Sequence, residues 1–446
     1  MKSARALRSD VPRIWSAALR AVDPEVAVRR FAGRKGPLLE IGGRAVDLES
    51  VDRVWILGAG KAAASMGRAM EAVLGKHLAG GILVTKYGHG VPLKKLEVIE
   101  AGHPLPDAQG LMAGERITRL ARAEIGPRDL AICLLSGGGS ALLVSPADGI
   151  SLEDKLACTD LLLKAGANIR ELNAVRKHLS NLKGGGLARL LRGTRTFSLI
   201  LSDVVGDALD AIASGPLVPD PTTYRDCLDI LERLRVLDRV PLPVRRRLES
   251  GQAGRIPETP KAGDPAFRLK ESIIVGSNSR ACTAAASAAR RLGYHTMILT
   301  TRLEGDTGEA AAFHTSIAQE IGAHDRPLRR PACVLSGGET TVKVEGRGIG
   351  GRNQEFALRC AAALARLPAP CLVASLGTDG TDGPTDAAGA LADNSTLARS
   401  IKFGAGFLEQ AIRNNDSYNF FKKLGDLIVT GPTRTNVMDL HIMLIG

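Results

Sequence analysis

A two-lobed α/β fold is what this sequence predicts, on three observations. Strand-sized apolar runs alternate with helix-like runs almost from end to end. The strand-sized runs are apolar at nearly every residue rather than at every second one, as a parallel sheet covered on both faces requires. With 446 residues, the chain exceeds one ordinary core, so two or three domains are expected. A hydrophobic content of 44% with 24% charged residues and a mean hydropathy of +0.02 belong to a soluble globular chain. They exclude disorder and collagen-like structure.

In the first half, Val54–Leu57 reads as a strand leading into a helix from about Gly60 to Lys76. Gly81–Thr85 and Leu96–Ile99 follow as strands, and Asp107 is placed to cap the next helix. Ala131–Leu135 is another strand; Ser151 with Asp154 forms a capping-box signature for a helix to about Asn168; Thr196–Leu201 closes the half. From Leu237 to Lys270 the pattern dissolves into a segment with five prolines, read as a linker or peripheral excursion. A second α/β run starts at Ser272–Gly276 with its helix to Leu292. It continues through Tyr294–Leu299, a helix capped by Asp306, the strand from Ala332, and Leu372–Leu376. Asp426–Thr430 and Met438–Met443 resemble a closing hairpin. The boundary is expected near 240–270, giving domains at 1–240 and 241–446.

Composition narrows the function classes. The formal charge of +12 invites nucleic acid, acidic lipid or small anions as partners. Aromatic content of 3% leaves few stacking platforms, and no basic block is longer than Arg245–Arg247, so nucleic acid is disfavoured. No uncharged apolar stretch has the 18 or so residues that a membrane span needs, and Met1–Trp15 lacks the apolar core of a secretion signal. Seven dispersed cysteines without a CxxC pair suit a reducing compartment and form neither a disulfide frame nor a zinc site. A cytoplasmic protein without membrane or nucleic-acid partners is expected, and nothing excludes a homodimer.

The residues that could do chemistry gather where strands end. Ser136, Gly137, Gly138, Gly139 and Ser140 follow an apolar strand, and a glycine turn opening a helix offers backbone N–H groups to an anion. The ordinary alternative is a tight turn without a ligand. The sequence repeats the pattern at Ser336, Gly337 and Gly338, where Glu339 and the alternating Thr340–Glu345 suggest a hairpin rather than a helix. Gly58, Gly60 and Lys61 follow the first strand. As GxGxxA they could mark a dinucleotide site, but the next strand ends in Thr85-Lys86 where a ribose-binding acid would stand, and no Walker A spacing is present. What remains is a lysine at a helix start, read either as an anion contact or as a solvated surface residue.

Asp203 and Asp207 follow the strand ending at Leu201, and two carboxylates beside an anion loop suit Mg²⁺, which prefers oxygen ligands. Asp379, Asp382 and Asp386 present the same choice between metal binding and capping; calcium is conceivable by spacing, yet the final EF-hand glutamate is missing. Arg176 and Lys177 form one basic cluster, with Lys183 close by, and would ordinarily be a solvated helix face. Arg352 and Asn353 follow a Gly-Gly pair, and a guanidinium there could grip a carboxylate or phosphate with two parallel bonds. The eight histidines show no metal-ligand spacing. Glycine turns, single cations and loop aspartates together favour chemistry on phosphates.

Many motifs in one order are more specific than any of them alone. GAGKAA at 58–63, AGHPLPD at 101–107, LLSGGGSALL at 134–143, NAVRKHLSNLKGG at 173–185, LSDVVGD at 201–207, IASGP at 212–216, GGRNQE at 350–355, GTDGTDGPTDAAGA at 377–390 and GPTRTNVMDL at 431–440 resemble the type II glycerate 2-kinases, the MOFRL family. The resemblance spans roughly residues 10–446. It implies two Rossmann-like lobes with largely parallel sheets around a central cleft, and ATP-dependent phosphorylation of D-glycerate at its 2-hydroxyl with Mg²⁺. It puts the catalytic lysine at Lys61, an aspartate at Asp203, the arginine at Arg352 and the acidic loop at Asp379 and Asp382. Members of this family also carry a hydroxypyruvate reductase label, so an NAD(P)H-dependent reductase is one rival. A non-catalytic sugar-acid-binding protein is the other.

Overall fold

The computed structural model describes residues 2–446. Two compact units divide them, one spanning Pro24–Val275 and the other the residues up to Asp23 together with Gly276–Gly446.

The first unit opens with the helix Pro24–Phe31 and then an antiparallel meander, β1 (Ala32–Lys35), β2 (Leu38–Ile41) and β3 (Arg44–Asp47), which carries no strong sequence signal. Its main sheet contains β4 (Val54–Ala59), β5 (Leu78–Lys86), β6 (Leu96–Ala101), β7 (Leu130–Ser136), β8 (Arg195–Leu201) and β9 (Lys270–Gly276). The order is β6-β5-β4-β7-β8-β9, and the first five strands run parallel. All seven residues of β7 are buried, as expected of an unbroken apolar strand at the sheet centre. The helix Ala108–Ala123, capped by Asp107 through a bond from the Gly110 amide (2.9 Å), lays Ala113, Ile117 and Leu120 on Ile82, Val84 and Ile99.

A separate helical layer completes this unit. Helices Leu152–Lys164, Ile169–His178, Tyr224–Arg233 and Leu242–Gln252 enclose a core around Leu162, Val175, Leu231 and Leu248. The expected capping box of Ser151 and Asp154 is formed. The proline-containing stretch read as a linker thus supplies a helix to the first unit, and Ser272–Gly276, expected to open the second α/β run, lies in β9 at the edge of the first unit's sheet. Val244 and Leu248, four residues apart, are fully buried on one face of that helix, a pattern that the surrounding arginines and prolines mask.

The second unit has a mixed sheet of β10 (His295–Leu303), β11 (Ala332–Gly338), β12 (Cys371–Gly377), β13 (Gly389–Asp393), β14 (Leu427–Ile428) and β15 (Asp439–Ile445), in the order β10-β11-β15-β12-β13-β14. Only β10 and β11 pair in parallel; β15 is antiparallel to both of its neighbours, and β13 and β14 continue antiparallel. This corrects the expectation of a largely parallel sheet. It also replaces the closing hairpin, because β14 pairs with β13 at the edge while β15 is buried at all seven positions in the middle. The apolar continuity of Asp439–Ile445 is the signature of a doubly covered strand, whose direction the pattern does not encode. Helices Thr307–His324 and Arg352–Leu364 cover one face through Ala311, Ala318, Phe356 and Leu364.

Helix Ala4–Ala21 belongs to this second unit although it begins the chain. Arg8 bonds Asp393 (Nε–Oδ2 2.6 Å) and Asp426 (Nη1–Oδ1 2.8 Å), and the Tyr294 hydroxyl donates to Asp10 (2.8 Å). The two acids that Arg8 joins have side chains only 5% and 2% exposed. Asp426 keeps Arg399 as a second cation, but removing Arg8 leaves the buried Asp393 carboxylate without one, which costs about 3 kcal/mol. Arg8→Ala should therefore lower the denaturant midpoint with an unchanged slope, and adding Asp393→Asn should recover part of the loss. Equal midpoints for wild type and Arg8→Ala would refute this role for the N-terminal helix.

Candidate active site

In the first unit the loops after β4 and β7 lie against each other. Ala59 and Leu135 are register partners on adjacent strands, so the two loops leave the sheet side by side. The Lys61 amide donates to the Gly137 carbonyl (2.8 Å), and the Ala62 amide donates to the Ser136 hydroxyl (3.0 Å). Gly60 has φ of +137°, and a side chain on it would strike Ser136. Gly58 approaches the Leu134 carbonyl just as closely, its notional Cβ 2.5 Å away. Both glycines thus permit the close approach of two backbones. Their loop leads Lys61 into the helix Ala63–Leu74. The Lys61 carbonyl accepts from Thr85 (3.4 Å) and contacts His89 Nδ1 (3.2 Å).

Gly138, in the left-handed region with φ of 81°, lies beneath two side chains. A Cβ placed on it would be 2.8 Å from His103 Nε2 and 3.5 Å from Lys61 Cγ. His103, which carried no assigned role in the sequence reading, therefore shares this surface with Lys61. The helix after the loop is a single turn, Gly139–Leu142, so its dipole is small. Ser140 Oγ is 2.9 Å from Ser214 Oγ, which in turn donates to Asn173 Oδ1 (3.4 Å). Ala213 and Ser214 have φ of 50° and 59°, a strained pair of non-glycine residues of the kind concentrated at functional sites. The motifs SGGGS, IASGP and NAVRK are thereby brought to one place. Asp203 and Asp207 stand partly buried in the loop after β8, Asp207 with φ of 57°.

Lys177 is not a ligand-facing or solvated cation. It is 3% exposed, and its ammonium lies 3.3 Å from the buried Asp220 and 3.4 Å from Asp210. Arg176, on the same helix, is half-buried, and burial lowers its pKa from the ordinary arginine value.

In the second unit, Arg352 starts its helix with its fork already filled. Nε and Nη2 bond the two carboxylate oxygens of Asp439 (2.5 and 3.1 Å), and Nη1 reaches Glu339 (2.8 Å). Although burial works against it, the charge of Asp439, its bonds and that of Glu339 hold the guanidinium above its usual pKa. Burial pushes the Asp439 carboxyl up, and Arg352 pulls it back. Asn353, fully buried, donates to Asp439 (2.9 Å) and accepts from Ser375 (2.7 Å), whose hydroxyl also meets His441 Nδ1 (2.8 Å). The bidentate partner foreseen for Arg352 is therefore a residue of this chain. Asp439, at the end of the GPTRTNVMDL motif, was not singled out.

Three further expectations change in this unit. Asp382 caps the arginine's helix, taking the Asn353 amide on Oδ1 (3.0 Å) and the Gln354 amide on Oδ2 (2.8 Å). Burial pushes its carboxyl up to about 6 although both amides favour the charged form. A carboxylate so engaged is a poor metal ligand. Asp379 is half-buried and accepts from the Thr381 amide and hydroxyl (both 3.0 Å). Ser336, Gly337 and Gly338 are buried residues of β11, with the Ser336 hydroxyl on His314 Nε2 (2.7 Å). Their glycines admit Asn278 and the backbone of Leu303. No hairpin follows Glu339; Thr341 makes only an isolated bridge to Asp306. Among the described residues, no group of three or more His, Cys, Asp or Glu is arranged around a metal position.

The chain matches the family described as "Domain of unknown function (DUF4147)" over residues 10–249 and the MOFRL family over residues 332–439. It is 44% identical over 435 residues to a protein of Pyrococcus horikoshii named glycerate 2-kinase, covering 97% of this chain and 96% of that one. An Agrobacterium vitis protein with the provisional name of a hydroxypyruvate reductase is 42% identical, covering 98% and 94%. The crystal structure of glycerate kinase from Thermotoga maritima superposes with a TM-score of 0.87 at 41% identity, covering 99% of this chain and 100% of that one.

Because Arg352 holds a buried carboxylate, Arg352→Lys should lower thermal stability as well as turnover, since an ammonium cannot make both parallel bonds. Adding Asp439→Asn should restore stability without restoring turnover. Unaltered stability in Arg352→Lys would show that the fork to Asp439 carries no weight.

Proposed function

This chain belongs to the DUF4147–MOFRL family, which includes glycerate 2-kinases, and we propose that it is itself a glycerate 2-kinase, transferring the γ-phosphoryl of ATP to the 2-hydroxyl of D-glycerate. The observation that carries the reading is the likeness to a named glycerate 2-kinase along nearly the whole chain, both units included. The loops of the first unit support it. They combine a lysine at a helix start, glycine turns and half-buried aspartates, the parts that phosphoryl transfer uses for positioning and charge neutralisation.

Lys61 neutralises charge on the phosphoryl oxygens, with His103 beside it over Gly138. The Gly137 to Ser140 loop and Ser214 hold polar groups of the substrates. Arg352 acts through Asp439 and Glu339, whose carboxylates it holds together at the start of its helix.

Asp203 and Asp207 fit Mg²⁺: both are oxygen ligands on a strand-end loop and neither is fully buried. Mg²⁺ keeps several waters and commonly takes only one or two carboxylates, so a cluster of three is not required. Asp382, by contrast, spends both carboxylate oxygens on the Asn353 and Gln354 amides. When bound, the ion would offset negative charge on the phosphate groups.

Two experiments test this reading. Lys61→Ala should lower kcat by about 10² or more, because one preorganised charge at a transition state contributes about 3 kcal/mol. Circular dichroism and melting should remain normal; near-normal turnover in that folded variant would remove Lys61 from the mechanism. The second is regiochemical. The primary C3 hydroxyl of glycerate is less hindered, so delivery to C2 requires a site that fixes the carboxylate. Product made from ATP and D-glycerate should feed enolase without phosphoglycerate mutase. Dependence on the mutase would show 3-phosphoglycerate and overturn the 2-kinase reading, while NADH consumption with hydroxypyruvate and no ATP turnover would favour the reductase.

A further inference from the structure

In the NAVRKHLSNLKGG motif the Gly184 amide donates to the Ser214 carbonyl (2.9 Å), whereas the Lys183 side chain borders a basic cavity inside the first unit. The cavity measures about 160 Å³ and is lined by four basic side chains, Arg122, Lys183, Arg189 and Arg247, while the Ser180 and Thr259 hydroxyls on its wall donate to the Ser145 carbonyl and the Asp220 carboxylate. No aspartate or glutamate is among its lining residues. Arg122 comes from the end of the helix Ala108–Ala123, Arg189 from Gly186–Leu190 and Arg247 from Leu242–Gln252. One ligand would therefore touch both the sheet-covering helices and the helical layer.

Lys183 is the centre of the argument. It is 3% exposed, and its ammonium donates to the Leu143 carbonyl at 2.6 Å. An ammonium has three donors, and no carboxylate partner is found for this one. Burial, then the nearby Lys155 and Arg176, push its pKa well below the ordinary lysine value. An enclosed cation without a counter-charge is costly, and an anion in the cavity would remove that cost. The arginines are held ready for one. Arg189 is pinned by the Glu258 carbonyl and Arg247 by the His178 carbonyl (2.9 Å), each leaving other guanidinium donors unused by that contact. His178 also borders the cavity, but its nitrogens are occupied by Ala174 and Glu258.

The size limits the guest. A volume of about 160 Å³ corresponds to about five waters at liquid density, enough for a tetrahedral phosphate with a short organic tail. The Arg122 wall of the cavity is apart from the catalytic loops, while Lys183 bonds the Leu143 carbonyl three residues beyond Ser140. Asp107 caps the helix end next to His103, and Arg122 lies 15 positions further along that helix, about 22 Å at the helical rise.

We propose that this cavity is a second anion site, taking inorganic phosphate or a short phosphomonoester, distinct from the loops that carry Lys61 and Ser140. It does not depend on the kinase reading.

The test is calorimetric titration of the full chain with inorganic phosphate and, separately, with glycerol phosphate. Wild type and Ser140→Ala should bind alike, whereas Arg189→Ala and Arg122→Ala should each lose about tenfold in affinity with kcat unchanged. Lys183→Met should abolish binding; if it does not fold, the two arginine variants decide. Tighter binding of glycerol phosphate would identify the ester as the guest, and equal binding would identify phosphate itself. Loss of binding in Ser140→Ala with retention in both arginine variants would place the anion at the catalytic loop and overturn the proposal, as would no binding at all.

Discussion

The contact between the loops after β4 and β7 is the constraint on which the rest of the first unit's site depends. Two adjacent parallel strands deliver their loops to the same spot, and the Lys61 and Ala62 amides are satisfied there by Gly137 and Ser136. Neither bond could form if Gly60 carried a side chain. Once the Ser136 loop is fixed in this way, its continuation packs on the strained Ala213–Ser214 turn, and that turn reaches Asn173 on a helix of the other layer. A left-handed pair of non-glycine residues persists only where surrounding structure over-determines it. These bonds supply that structure.

The first unit was largely legible because its signals are local. Unbroken apolar runs marked β4, β7 and β8, and Ser151 and Asp107 marked helix starts that the fold uses. The meander β1–β3 was not, since strands of four residues at a partly exposed edge have neither length nor alternation enough to stand out. The second sheet was legible as strands but not as topology. Continuous apolarity says that a strand is covered on both faces and says nothing about its direction. The insertion of β15 between β11 and β12 is a long-range pairing with no local mark. Of the site, the strand-end loops were readable, while Asp439 and His103 were not, because each matters through a neighbour distant in sequence.

The paired Ser-Gly-Gly segments show the limit of a local motif. Ser136 uses its hydroxyl to hold the start of a neighbouring helix, leaving the following glycines as a partly accessible turn. Ser336 gives its hydroxyl to a buried histidine, and its glycines are consumed by Asn278 and the backbone of Leu303. In both places glycine follows serine because something must come close. In the first it is another loop and a pair of cationic or polar side chains; in the second it is the interior of a sheet. The same three residues therefore join two strand-end loops in one unit and serve as a packing device in the other.

A similar distinction governs the cations. The net charge of +12 suggests a surface made for anions, but several of the basic residues most suggestive by sequence are committed internally. Lys177 neutralises Asp220, Arg352 holds Asp439, and Arg8 joins Asp393 to Asp426. Each of these acids is buried and would be costly there without a cation, Asp426 having Arg399 as well as Arg8. Such pairs add nothing to the field that an incoming anion experiences, because cation and carboxylate cancel within a few ångströms. Lys183 differs in kind: it is as buried as Lys177 but has a carbonyl where Lys177 has carboxylates. Capacity for anion binding is therefore decided by what stands opposite each buried cation, and a charge count, which treats Lys177 and Lys183 alike, cannot separate the two.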